Sequence, residues 1–240
     1  MVHLSPGVLS FSILPFTLIL ISHRVYTYLS DFILEHKRRA WIITSVSSIL
    51  MSLCSLPYIT EFLYMGLEVS AIRRRPLLST MICGSFQGFL LSDLIIGSRE
   101  YPQFLGAISG WAHHLLYSLI MPYVVYRGWA HFFCICLVME LPTSLLSISH
   151  LYPKLRHDIL TATVFFFTRI LLHLLLIFLS VSPKSRDKVV GGSYIPAFLL
   201  ISAFLMHALW FFSSVKGIRR RNKAGKLYRA EDSIREGGQK

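Results

Sequence analysis

The chain has 240 residues, of which 54% are drawn from AVILMFWYC and only 15% are charged, and its mean hydropathy is +0.57. Soluble domains carry about 25% charged residues, so this balance excludes a disordered chain, a disulfide-framed secreted domain and an ordinary cytosolic enzyme, and leaves a polytopic membrane protein. The net charge of +12 does not imply a nucleic-acid partner. Nine of the 24 Lys and Arg lie in the last 25 positions, and most others sit between apolar runs, as in Lys37-Arg38-Arg39 and Arg73-Arg74-Arg75. Basic residues beside spans are what the positive-inside rule and anionic lipid surfaces produce.

A helix needs about 20 apolar residues to cross the hydrocarbon core. Taken in chain order, the sequence predicts seven spans: 7–29, 42–65, 77–97, 104–126, 129–150, 158–182 and 194–214. The first is apolar to residue 22 and ends in His23, Arg24 and interfacial tyrosines. With no positive stretch before it and no clear small-residue cleavage site after it, it is expected to be retained. The fourth is interrupted by His113, His114 and Pro122, and a re-entrant segment there would make the count six. Cys54, Cys83, Cys134 and Cys136 all lie in apolar stretches without zinc-type spacing, which makes them small hydrophobes.

Seven crossings put the termini on opposite sides. With the C-terminus cytosolic, Lys37, Arg38, Arg39, Arg99, Lys154, Arg156 and the nine basic residues of the tail are cytosolic, fifteen in all. Seven lie opposite: Arg73 to Arg75, Arg127, Lys184, Arg186 and Lys188. This bias orients the chain, with Arg73–Arg75 as the exception. The polar tail, 216–240, is expected to be disordered or to lie on anionic lipid headgroups. There is no repeat of 20–50 residues, and no inverted repeat that would favour a transporter.

Ionisable side chains at mid-span cost at least about 2.5–3.5 kcal/mol and therefore face the bundle interior and pair. Asp93, His113-His114, Glu140 and Arg169 meet this condition on four consecutive spans, which predicts a shared internal site. Arg169, in TVFFFTRILLH, needs an acid, and Glu140 and Asp93 are the two available. His173 is one turn beyond Arg169 on the same face. Tyr117 lies four residues from His113 and three from His114, where its hydroxyl can reach an imidazole. Neutral imidazoles can move protons near pH 7. The remaining histidines are scattered singly, which excludes a di-iron desaturase, and no GxSxG, Walker loop or HExxH is present, so no metal is expected.

Four of these pieces in register, LLSD with Asp93, WAHH with His113 and His114, MELPTS with Glu140 and TVFFFTRI with Arg169, make 87–177 resemble the TLC domain shared by ceramide synthases and smaller relatives. The likeness is closer to the small TLC-domain-containing proteins. It extends upstream to Trp41 and down to about 215, giving a first span and basic loop (1–40), a TLC domain (41–215) and a basic tail. The resemblance implies an all-α bundle of six or seven transmembrane helices in an endomembrane, the endoplasmic reticulum above all. It also implies a role in sphingolipid or phospholipid homeostasis, with membrane lipids as partners. Arg169, Tyr117 and His173 would then bind lipid or support the polar core. The alternative is a ceramide-synthase-like N-acyltransferase moving a fatty acyl group from acyl-CoA, its only cosubstrate, to a sphingoid base. In that case one imidazole of His113 or His114 would act on the amine or take the acyl group, and Asp93 or Glu140 would orient it. The sequence departs from the synthase pattern at VMELPTS, where no second acid follows Glu140 and Thr143 stands in its place.

Overall fold

A computed structural model describes residues 6–237, of which 6–10, 109 and 224–237 are described by their backbone. Among the described residues there is no strand. The helices are α1 (Pro6–Ser30), α2 (His36–Arg39), α3 (Ile42–Tyr64), α4 (Pro76–Glu100), α5 (His113–Tyr126), α6 (Ala130–Cys136), α7 (Leu141–Leu151), α8 (Asp158–Phe165), α9 (Leu172–Val181), α10 (Pro183–Val190) and α11 (Ile195–Gly237). Each predicted span coincides with a helical segment. The fifth runs through α6, a 3-10 turn at Leu137–Glu140 and α7, and the sixth joins α8 to α9 through a π turn at Phe166–Leu171. Among the described residues five stretches are long and apolar enough to cross a membrane: His36–Tyr64, Pro76–Glu100, Ala130–Leu151, Asp158–Val181 and Ile195–Lys223. The chain is an integral membrane protein built as an all-α bundle.

The connections fall on two opposite faces. On one, His36 bonds the Glu100 carbonyl at 2.9 Å, Trp41 stacks on His150, and Arg156 and Arg221 both bind Asp158. On the other, Lys188 meets Glu68 at 3.6 Å, and Glu61 takes Arg73 at 3.4 Å and Arg75 at 2.7 Å. We call these the Lys37 face and the Glu61 face. Alternate loops share a face, the arrangement that the seven predicted spans would give. Glu61 also offsets part of the Arg73–Arg75 cluster, the exception to the charge bias. On this face the Ser70 hydroxyl and the Lys188 ammonium hold Glu68 below the usual carboxylate range.

Two elements differ from expectation. The connection at 183–190 is a helix, started by Pro183 in its first turn and stopped by Gly191 at φ 62°, a left-handed position that glycine takes without strain. The helix of the last span does not stop near 214. It continues as α11 to Gly237, so the basic tail is helical over its described length and not disordered. The Lys, Arg, Ala and Glu of this stretch are good helix formers, and charge ends a membrane span without ending a helix. Its side chains beyond Lys223 and residues 238–240 lie outside the described residues, as does the contact with anionic lipid expected of them.

The main core is formed by Tyr58, Phe62, Cys83, Met121, Cys134, Ile135 and Leu176, all essentially inaccessible. A smaller core at the Lys37 face gathers Tyr26, Ile42, Ile43, Ile96 and Tyr101. α4 is the most enclosed of the apolar helices, while α8–α9 and α11 leave most of their surface outward. Close packing of α1 on α4 depends on Gly88, where a Cβ would lie 3.0 Å from the Pro15 Cα. Small residues let membrane helices approach in this way. α3 presents a buried stripe of Ser45, Ser48, Ser52 and Ser55, spaced three and four residues apart on one face, and α3 packs on α7 and the turn before it.

Candidate functional site: a polar centre inside the bundle

Asp93 lies seven residues from the Lys37-face end of α4, and His114 seven residues from the start of the π turn Ala107–Ala112 that precedes α5. At 1.5 Å per residue both sit about 10 Å below that face. Arg169 is eleven residues into the sixth span, hence about 16 Å deep. The centre therefore occupies the half of the bundle nearer the Lys37 face. It is roofed there by the small core around Tyr101.

Two of its members grow out of π turns, Ala107–Ala112 before His113 and Phe166–Leu171 around Arg169. Such turns shift backbone pairing by one residue and are frequent at functional sites. The Gly110 carbonyl, within the first π turn, accepts Nδ1 of His114 at 2.6 Å. Nε2 of the same ring stands 3.2 Å from Oδ2 of Asp93, and Oδ1 of Asp93 accepts the Tyr101 hydroxyl at 2.9 Å. A carbonyl can only accept, so Nδ1 carries a proton. Nε2 then faces a carboxyl oxygen, and one further proton must lie on that line. Both nitrogens of His114 are thereby engaged. Tyr101, a buried residue just past the end of α4, keeps its proton for this bond, because burial first and the Asp93 charge second push its phenol above the ordinary value.

His113 is held differently. Its ring packs on Tyr117 with centroids 4.6 Å apart and edge-on to Trp210 at 5.6 Å, and its Nδ1 is buried without a hydrogen-bond partner. Of the two adjacent imidazoles, one is clamped and the other keeps a nitrogen available. Ser118 Oγ and Gln87 Oε1, farther along the α4–α5 seam, are likewise buried and unpartnered, although Gln87 bonds the Ser118 carbonyl at 3.3 Å.

Arg169 is 6% exposed and reaches α7. Its Nε donates to the Met139 carbonyl at 2.5 Å, and one terminal amine reaches Glu140 at 3.3 Å and the Thr143 hydroxyl at 2.7 Å. Of the two acids expected for it, Glu140 is the partner and Asp93 belongs to His114. Thr143, standing where a second acid would follow Glu140, serves as a neutral acceptor for the same guanidinium. That guanidinium also lies over the rings of Phe165 at 5.4 Å and Trp210 at 5.6 Å.

His173 does not join the Arg169–Glu140 pair. It bonds the Leu200 carbonyl through Nε2 at 2.9 Å and His207 through Nδ1 at 3.0 Å. His207 in turn packs against Trp210 at 5.8 Å. Trp210 thus touches His113, Arg169 and His207 and joins three polar groups that are otherwise separate. Sequence reasoning did not single out Tyr101, His207 or Trp210, and it named Thr143 only as the residue in place of a second acid. For His207 and Trp210 a signal existed in their spacing of three inside an apolar run, which places both on one helix face. Among the described residues no group of three or more His, Cys, Asp or Glu is placed to hold a metal ion.

An apolar helical bundle with buried ionisable side chains drawn from several spans defines a multi-pass membrane protein with an internal polar centre. Residues 38–216 match the family model of the TLC domain, and the chain belongs to that family. Membership makes it a membrane protein related to lipids. No curated protein and no solved structure matches the chain.

Proposed function

We propose that this protein acts in membrane lipid homeostasis by binding the polar group of a sphingolipid or phospholipid in the intramembrane centre. The observation that carries the reading is the free Nδ1 of His113, buried between Tyr117 and Trp210 at a depth where an unsatisfied polar atom costs several kcal/mol. A headgroup hydroxyl, amide or amine supplies the missing partner, while the outward apolar side chains of α8, α9 and α11 leave room for tails. The charge bias favours a cytosolic C-terminus, which makes the Lys37 face cytosolic, and the family favours the endoplasmic reticulum. Photoactivatable, clickable sphingosine and fatty acid in membranes test the reading. Label is expected on α5 and α11 and is expected to fall in His113→Phe. Labelling equal in both proteins would overturn it.

A second reading, acyl-CoA-dependent N-acylation of a sphingoid base, is favoured by one arrangement: Tyr101, Asp93 and His114 form an oriented chain beside an imidazole with an open nitrogen. His113 would take the proton of the amine as its nitrogen attacks the thioester carbonyl. The C–N bond forms, the C–S bond breaks, and the proton passes to the leaving thiolate. Ceramide made from labelled sphingoid base and an acyl-CoA panel, and lost in His113→Ala at equal expression, is the result this reading requires.

A further inference from the structure

The run Lys37-Arg38-Arg39 is one charge block in the sequence, but the fold divides it. Arg39 turns inward and donates Nε to the Ile33 carbonyl at 2.7 Å. Lys37 and Arg38 instead line a surface cleft of about 230 Å³, together with Glu35, Ser149, His150 and Arg156. Space of this size admits a phosphate with a small ester substituent.

The lining sets three cations against one carboxylate. Arg38 meets Glu35 through Nε at 2.6 Å, and Arg156 meets Asp158 through Nε at 2.8 Å. Each carboxylate therefore fixes a guanidinium by its inner nitrogen and leaves terminal amines as donors, the fork that suits phosphate oxygens. Asp158 is shared with Arg221, at 2.9 Å, so its charge is already offset. Lys37 makes no ion pair or hydrogen bond among the described residues, and its ammonium is a cation without a counter-ion. The wall is rigid at His150, whose ring stacks on Trp41 at 4.2 Å with an angle of 3° between the planes. Trp41, at the start of α3, places the cleft at the membrane–water boundary.

We infer that this cleft is a phosphate-binding site, separate from the intramembrane centre, formed by Lys37, Arg38 and Arg156. The phosphate is that of an anionic phospholipid headgroup or of a soluble phosphate ester, and the test separates the two sources. The full chain in phosphatidylcholine nanodiscs is titrated with phosphatidic acid, and in a second arm with glycerol 3-phosphate, with retention read by native mass spectrometry. Saturable binding is expected, weakened about fivefold or more in Lys37→Gln, as the loss of one basic contact near a membrane surface implies. Lys154→Gln removes the same charge from the same face outside the cleft and is expected to leave the affinity within about twofold. Phosphatidic acid bound without competition from glycerol 3-phosphate identifies a lipid headgroup, and equal competition identifies a soluble ester. Binding of neither overturns the site, and so does an equal loss in both variants, which would mean a diffuse basic band. Lys37 has no bond to lose, so Lys37→Gln should melt with the wild type. Lipid photolabelling at His113 should not respond to it, so the two proposals can fail separately.

Discussion

His173 and His207 meet nitrogen to nitrogen, Nδ1 to Nδ1 at 3.0 Å, and the direction of that bond follows from a third atom. Nε2 of His173 lies 2.9 Å from the Leu200 carbonyl, which can only accept, so this nitrogen donates. A neutral His173 then accepts at Nδ1, and His207 is the donor. The pair ties α9 to α11, two helices that turn most of their surface outward.

Replacing His207 by Phe keeps the ring and leaves His173 Nδ1 without its donor. The loss should be about 1–3 kcal/mol, the usual cost of a buried group deprived of its partner. Thermal unfolding of purified protein checks this, with His207→Gln, whose amide can donate, expected to recover part of the loss. A His207→Phe protein that melts with the wild type would mean the pair holds nothing.

Asp93 accepts from Tyr101 on one oxygen and faces His114 with the other. Asn offers one acceptor and one donor in the same shape, so Asp93→Asn should stay within about 1 kcal/mol of wild type, while Asp93→Ala strands two buried groups and should lose about 2 kcal/mol or more. If the protein is an acyltransferase, Asp93→Asn should nevertheless lose turnover, because the charge that steadies the imidazole is gone. Stability and ceramide formation measured on the same two variants separate a positioning carboxylate from a packing one.

The spans were legible because a run of about 20 apolar residues is a property of composition, and the bundle follows from it. Asp93, His113, His114, Glu140 and Arg169 were legible for a similar reason, since ionisable residues inside such runs stand out. What was not legible is which of them touch. Both acids satisfied the same electrostatic argument for Arg169, and only the packing of the 3-10 turn Leu137–Glu140 against the π turn brings Glu140 to it. The π turns themselves have no residue signature. His207 is a lone histidine in an apolar run, and its partner His173 lies 34 positions away. The length of α11 was misjudged because the hydropathy boundary near 214 was taken for a helix boundary, although the basic residues beyond it favour helix.

Arg169 holds the backbone of one helix as well as a carboxylate, so its removal should act in two ways. Arg169→Met leaves Glu140 as a buried charge without a partner and frees the Met139 carbonyl, a loss of about 3–5 kcal/mol. Arg169→Lys keeps the charge but cannot reach Met139, Glu140 and Thr143 together, and should recover only part of it. In a double-mutant cycle, Arg169→Met and Glu140→Gln should couple by about 1–3 kcal/mol, while Arg169→Met and Asp93→Asn should be additive within about 0.5 kcal/mol. Coupling to Asp93 as large as to Glu140 would contradict the pairing.

Two glycines make opposite predictions from the same substitution. At Gly88 a new Cβ would press on Pro15 Cα at 3.0 Å and Leu18 Cβ at 2.9 Å, so Gly88→Ala must push α1 from α4 and should cost about 1–3 kcal/mol. At Gly217, inside α11, the nearest atom is the flexible guanidinium end of Arg221 at 3.3 Å, and Gly217→Ala should stabilise the helix by up to about 1 kcal/mol. Melting temperatures that move in the same direction would contradict one of the two packings.

Alternate loops on two faces make the topology testable without reference to function. The chain has a single Asn, Asn222, and no glycosylation sequon of its own, so introduced sequons report without background. One inserted after Gly191, beside Lys188 and Glu68 on the Glu61 face, should receive a glycan in endoplasmic reticulum membranes. One inserted after Lys154, beside the phosphate cleft, should not. A C-terminal extension carrying a third should also remain unmodified, since α11 passes from the Glu61 face at Ile195 to the Arg221–Asp158 pair on the Lys37 face. Glycan on the Lys154 and C-terminal sequons, with none on the Gly191 sequon, would invert the proposed orientation and leave the fold intact. Glycan on both the Gly191 and the C-terminal sequons would mean that α11 does not cross, and the count of seven would fall to six.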